Sequence, residues 1–398
     1  KGNGQYRWMM MNLGYTLLND QLFHKMIHPL YEYGKDGYVF FKQKQNVQFG
    51  DYHIAFAEML AEIQDYCQAR DVPFLFVLNP EKAAVYPDKL RDGIHYDRSW
   101  VQQFEQKLDE LGVNYIDNTQ LLQDRRAGGE QVFNKVYNAG HWNDLGAFYG
   151  VNNILESLSG FFPSIQPNEL SDFAVTETLQ ETLLSSQFPI HEYEPTFGRL
   201  CELEVKTEEY DAEVARSSQH RGFGYFVNPE NVAAGAPRTL VFQGSYMNEM
   251  GFKFLQTGLG EYIYVHNYEN LMDFDYYFNI FQPECVVVEV AEYTVNSGYF
   301  NAERVENFSL NPVLTLDDAA RQADKQSLAP QIAEGERLST LTVSLPEGTQ
   351  HAYLLSEGKT FDLIKGEQGW QASVEKENLS ADYTVVAVGA DGEQTRYQ

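Results

Sequence analysis

Two side chains in this sequence have the chemistry of a nucleophile and its base. Ser245 stands in Phe242-Gln243-Gly244-Ser245-Tyr246, after an apolar strand pattern and before a helical one. A residue so placed lies at the carboxyl end of a sheet strand, where ligand sites of α/β proteins gather. It also meets the positive end of the next helix, which favours developing negative charge. Gly244 allows close approach by backbone or substrate. The same placement suits a helix N-cap, so this stretch alone leaves nucleophile and cap both open.

The second side chain is His141, in Tyr137-Asn138-Ala139-Gly140-His141-Trp142-Asn143, a polar turn just before another helical pattern. A lone histidine is more often a core or surface residue than a base. Here Asn138, three residues earlier, is expected to receive one imidazole N–H and leave the other nitrogen free to accept a proton.

The elements that must position this pair alternate. Residues 51–70 read as an amphipathic helix, with Phe56, Met59, Leu60, Ile63 and Cys67 at helical spacing. Pro73 prevents its continuation. Phe74 to Leu78 is a short continuous apolar run, the mark of a strand buried on both faces. Residues 98–111 predict a helix, 113–117 a strand and 144–159 a helix. After a less periodic stretch, 163–235, expected as an insertion of short helices and long loops, the rhythm resumes. Strands are predicted at 239–242, 262–265 and 285–290, and a helix over 246–255. Such alternation predicts a layered α/β domain with a mostly parallel sheet, over residues 1–320. Residues 318–336 read as a solvated connector. From 337 to 398, short strands punctuated by turns predict a small β-sandwich.

Bulk composition narrows the classes of function. A formal net charge of −28 repels phosphate backbones and anionic membrane surfaces, so no nucleic-acid partner is expected. The three cysteines, Cys67, Cys201 and Cys285, form neither a metal motif nor a disulfide framework; Cys67 and Cys285 read as small buried hydrophobes. There is no phosphate-binding loop and no zinc or calcium spacing, so neither metal nor other cofactor is expected. No run approaches the length of a membrane span.

Several segments, in order, resemble the SGNH-hydrolase-like polysaccharide O-acetyltransferases of the alginate O-acetylation (AlgX/AlgJ) type. Asn138-x-x-His141 has the spacing of the Asp-x-x-His block of SGNH hydrolases, and Gln243-Gly244-Ser245-Tyr246 resembles their Gly-Asp-Ser nucleophile block. Histidine precedes serine, as in the AlgX/AlgJ type and unlike ordinary SGNH esterases. His141-Trp142-Asn143 resembles the His-Trp signature. Gly34 to Phe40 resembles the opening strand, Asn79-Pro80-Glu81-Lys82 with Tyr86-Pro87 the Pro-x-Lys and Tyr-Pro segment, and Pro283 to Glu292 the late strand ending in Glu-x-x-Glu. The likeness spans roughly residues 30–310. The C-terminal module resembles the family's carbohydrate-binding module.

The resemblance implies a three-layer SGNH-like fold and a serine acyl-transfer site. His141 would deprotonate Ser245, which would take an acyl group, most simply acetyl, from a membrane-bound O-acyltransferase and pass it to a surface glycan hydroxyl. It also implies an extracytoplasmic location, with anchoring through a segment before Lys1. The Ser245 N–H would be one oxyanion donor. Asn79 and Tyr246 are candidates for a second, and Lys82 and Trp142 for substrate contact, with an ion pair the plainer role of Lys82. Glu289 and Glu292 could line the cleft or be solvated strand ends. Trp370, Tyr353 and Tyr383 could form a sugar platform or fill the sandwich core. The departures are Asn138 in place of aspartate, Gly244 in place of the nucleophile block's aspartate, and Tyr293 where relatives carry arginine. Asparagine cannot balance an imidazolium charge, which leaves a weaker dyad, a substitute carboxylate such as Asp144, or an inactive glycan-binding adaptor. An esterase using the same residues is the remaining alternative.

Overall fold

Single-residue alternation along the buried strands decides the architecture. The computed structural model describes residues 30–42, 47–183 and 188–398; the first 29 residues, counted above in the 1–320 domain, lie outside them. In strand β1 (Phe74–Asn79), Phe74, Phe76 and Leu78 join one apolar cluster and Leu75 and Val77 join another. The period of two sends successive side chains to opposite faces, so both faces need cover. Helices α1 (Asp51–Gln68) and α2 (Ser99–Leu111) bury their apolar stripes on the first face. Helix α3 (Asp144–Ser159) covers the second through Ala147, Val151, Ile154 and Leu158. The result is three layers.

The central sheet adds β2 (Tyr115–Asp117), β3 (Glu204–Val205), β4 (Phe223–Val227), β5 (Arg238–Gln243), β6 (Glu261–His266) and β7 (Cys285–Ala291). Its order is β2-β1-β7-β5-β6-β4-β3. The first five strands are parallel, and β4 runs antiparallel to both β6 and β3. The last strand in sequence, β7, lies between β1 and β5. The carboxyl ends of β1, β7 and β5 therefore open side by side, the usual place for a ligand crevice in an open α/β sheet. Helix α4, residues 245–258, leaves β5 there.

The stretch 163–235 differs from expectation. It is chiefly a long antiparallel hairpin, Phe173–Thr182 with Pro189–Arg199, and it also supplies β3 and β4 to the sheet. Alternating polar residues along the exposed hairpin hide a helical or core-strand period from a sequence reading. Phe173 and Phe197 anchor the hairpin against Phe148 and Phe254, with ring centroids 5.0–6.2 Å apart.

The C-terminal sheets have five and four strands packed around Leu341, Leu354, Phe361, Val374 and Val385. The stretch 318–336, expected as a connector, contributes strands Arg321–Ala323 and Gln331–Glu334 to them. Trp370 and Tyr383 fill this core, and Tyr353 is buried with its hydroxyl donating to the Pro312 carbonyl. The three rings therefore form no exposed sugar platform. The sandwich is fastened to the α/β domain by α5 (Phe274–Phe281): Asn279 exchanges hydrogen bonds of 2.8 and 3.0 Å with the Asp362 backbone. Cys67 and Cys285 are buried in the core, as expected. Among the described residues no helix is long and apolar enough to cross a membrane.

Gly150 on α3 is a point of enforced contact. A Cβ there would lie 2.3 Å from the Trp142 ring. Overfilling a packed core costs about 1–3 kcal/mol. Gly150→Ala is expected to lower stability by that amount, read from the denaturant midpoint, because Trp142 is fully buried and held by the Tyr246 ring and carbonyl.

Candidate active site

The crevice end of β5 runs from Gln243 through Gly244 into Ser245, the first residue of α4. The first N–H groups of a helix have no partner within it, so Ser245 brings both a hydroxyl and an uncommitted backbone donor to the crevice. A π-turn, Met247–Gly251, follows at once and is closed by the Phe252 N–H donating to the Met247 carbonyl. Such turns are frequent at functional sites.

His141 reaches Ser245 from the loop before α3: its Nε2 lies 2.7 Å from Ser245 Oγ. If Nε2 accepts from the hydroxyl, the neutral ring carries its proton on Nδ1. Burial pushes the imidazole down to about 4, so near neutral pH the ring is uncharged and able to accept a proton. Its Nδ1 is buried without an aligned hydrogen bond, although Glu249 Oε2 stands 3.3 Å away. The two are in contact, with the carboxylate off the N–H direction. The His141 ring packs edge-on against Tyr246, with centroids 4.9 Å apart.

The loop is held by its neighbours. The Trp142 indole N–H donates to the Tyr246 carbonyl at 3.2 Å. Glu192, on the hairpin, accepts the backbone N–H groups of Lys135, Val136 and Tyr137 at 2.5, 2.9 and 2.6 Å. The hairpin thus braces the segment that carries the histidine.

Asn138 is placed otherwise than expected. Its Oδ1 accepts the N–H groups of Gly140 and His141, at 3.1 and 3.0 Å, in a tight local turn. With its acceptor closed onto the backbone, it does not receive the imidazole N–H. Asp144 does not substitute for it: its Oδ2 is taken by the Phe197 N–H and the Lys253 ammonium.

The second-donor candidates are also committed. The Tyr246 hydroxyl, fully buried, lies 2.7 Å from the Gly140 carbonyl and 2.8 Å from that of Pro80. It ties the histidine loop to the end of β1. Asn79 donates to Glu289 Oε1 at 2.7 Å and accepts from Asn118 at 2.8 Å. Lys82 is buried, donating to the Val39 and Lys135 carbonyls at 2.7 and 3.0 Å. Burial pushes its ammonium down to about 7. Among the described residues it makes no ion pair and touches no open crevice. All four candidates, Trp142 included, are scaffold rather than crevice lining.

Glu289 and Glu292 are fully buried, not solvated. Glu292 accepts from Arg98 Nε, the Tyr96 hydroxyl and the Glu81 N–H, each at 2.8 Å. Glu289 accepts the Gly244 N–H on Oε2 at 2.8 Å and the Asn79 amide on Oε1. Burial pushes its carboxyl up to about 7, and those two bonds act the other way. An amide in its place presents one donor where two acceptors are needed. Glu289→Gln is expected to cost about 1–3 kcal/mol, the penalty of one buried unsatisfied group, by equilibrium denaturation.

Two residues near the pair were not among the candidates. The Tyr293 hydroxyl lies 3.4 Å from Ser245 Oγ, at the position where the sequence departs from arginine. Glu249 lies one helical turn past Ser245, a spacing visible in the sequence once α4 is taken to start at the serine.

The model of the AlgX family, described as an SGNH hydrolase-like domain of acetyltransferase AlgX, matches residues 32–236, about half of the chain. The chain belongs to that family. It is accordingly an enzyme of the SGNH O-acetyltransferase type. Among solved structures, Bacillus cereus PatB1 with a sulfonyl adduct is similar over 68% of this chain and 96% of that one, at 15% identity and TM-score 0.50. The O-acetyltransferase domain of Pseudomonas putida AlgJ is similar over 70% and 99%, at 16% and 0.45. Pseudomonas aeruginosa AlgX is similar over 92% and 89%, at 13% and 0.43. At these identities the likeness concerns the fold. No curated protein matches.

Proposed function

We propose that this AlgX-family chain moves an acetyl group to a hydroxyl of an extracytoplasmic glycan through an acetyl-Ser245 intermediate. The observation that carries the reading is the 2.7 Å contact of His141 Nε2 with Ser245 Oγ at the start of α4. His141 takes the hydroxyl proton as Oγ attacks the donor's carbonyl carbon. The new ester bond forms as the donor's leaving group departs with the proton from His141. A glycan hydroxyl then loses its proton to His141 and attacks the ester, and Oγ recovers that proton. The helical N-terminus at Ser245 supports the developing oxyanion. The donor in this reading is a membrane-bound O-acyltransferase. A net charge of −28 disfavours a polyanionic acceptor, so a neutral glycan suits the surface better. The test incubates the protein with an activated acetyl ester and neutral or anionic oligosaccharides, and analyses products by mass. Acetylated neutral oligosaccharide is expected; acetate alone under every acceptor condition counts against transfer.

A further inference from the structure

His141 must carry a positive charge whenever it holds the serine proton, and it does so in a buried site. Burial penalises that charge, so a neighbouring carboxylate matters more here than on a surface. The carboxylates close to the nucleophile loop and the histidine loop are mostly taken. Asp144 holds Lys253 and the Phe197 N–H. Glu289 holds Gly244 and Asn79, and Glu292 holds Arg98, Tyr96 and Glu81. Asn138 is closed onto its own backbone. What faces the second ring nitrogen is Glu249, with Oε2 3.3 Å from Nδ1.

Its position follows from the helix. Residues four apart share a helix face, so Glu249 rises over the same side of α4 that presents Ser245. The π-turn that contains it reshapes that side directly behind the nucleophile. Among the described residues, no lysine or arginine pairs with Glu249. Its side chain is 45% exposed, which leaves it room to swing onto the Nδ1–H line.

We infer that Glu249 is the positioning carboxylate of this site, orienting His141 and balancing its imidazolium from one turn beyond the nucleophile. It does not take the proton; that stays on the imidazole until the leaving group or Oγ receives it. The inference rests on the Ser245–His141 reading above.

Besides the carboxylates named above and Glu81, whose charge acts on both Tyr246 and Tyr293, the titratable groups around the pair include four tyrosines. Tyr246 packs on the imidazole and Tyr293 stands beyond Ser245. Burial raises the Tyr31 and Tyr137 hydroxyls, and the Glu249 charge adds to both. All four stay neutral through the working range. Burial raises the Glu249 carboxyl above its ordinary value and holds the His141 imidazole down to about 4, so on acidification Glu249 gives up its charge before the imidazole gains one. Glu249→Gln has no such charge to lose, so the acid limb of the pH–rate profile moves to lower pH while the plateau falls.

The experiment measures kcat, KM and the pH profile for an activated acetyl ester with the full chain, Glu249→Gln, Glu249→Asp and Ser245→Ala. The expected result is a fall in kcat of roughly 10²- to 10⁴-fold for Glu249→Gln, by comparison with a serine triad that loses its carboxylate. KM changes little, the acid limb shifts down, and Glu249→Asp recovers part of the rate. A Glu249→Gln enzyme with unaltered kcat and pH profile overturns the inference while a dead Ser245→Ala keeps the acyl-serine reading. A loss with no shift in the acid limb and no recovery by aspartate assigns Glu249 a merely structural role and also overturns it. Undiminished turnover by Ser245→Ala sinks the acyl-serine reading itself.

Discussion

Ser245→Ala is expected to abolish the acetyl adduct on the intact protein and to lower ester turnover by at least about 10³-fold. The hydroxyl it removes is the only group that can form the acyl ester in this reading. The cavity left is one oxygen atom at a half-buried helix start, so the fold should survive. The Gly244–Glu289 bond and the helical N-terminus remain in place in the variant. Whatever rate persists then measures what the helical N-terminus does without a nucleophile. The readout is mass after brief exposure to an activated acetyl ester, paired with steady-state turnover. An adduct retained in the variant would place the acyl group elsewhere and end the case for Ser245.

His141→Ala is expected to cost a similar factor, on the order of 10³-fold or more, since a serine without its base attacks poorly. The pH dependence of the unaltered enzyme carries further information. Burial holds the imidazole down to about 4 in the folded protein, against about 6.5 for a free imidazole. In this reading the neutral ring is the base, so its own titration should leave acylation level well below pH 6.5 and lower it only as the pH nears the folded value. The same displacement links to stability. Between about 6.5 and about 4 the unfolded chain binds a proton that the folded chain does not. Stability therefore rises with pH across that window and the contribution is lost on acidification through it. His141→Ala should flatten that part of the profile, measured as denaturant midpoint against pH. An acid limb of activity near 6.5 would show an imidazole more solvated than this packing allows.

Much of the architecture was legible from the order of residue types. The run Phe74 to Leu78 could only be a strand covered on both faces, and α1, α2 and α3 were visible as stripes with 3.6-residue spacing. The Ser245 and His141 positions were legible too, because each stands at a boundary between periodic segments, where loops gather at the carboxyl ends of strands. Their mutual contact was not, since 104 residues separate them and only the sheet order brings them together. Local spacing suggested Asn138 as the partner of His141. A side chain three residues back can reach either the ring or the backbone, and the turn geometry chose the backbone. Glu289, Glu292 and Lys82 carry charges that sequence reading assigns to solvent or to ion pairs. Tertiary packing buried them and supplied backbone partners, with the Asn79, Tyr96 and Arg98 side chains completing the two carboxylates. The hairpin at 173–199 escaped because its faces are exposed and its role, bracing the histidine loop through Glu192, depends on a contact across 55–57 residues. By itself the sequence determined the layers and pointed to the two groups proposed to react, which stand where periodic segments end. The tertiary structure alone decided which carboxylate meets the imidazole, because that depends on strand order and on one π-turn, and neither leaves a period in the chain.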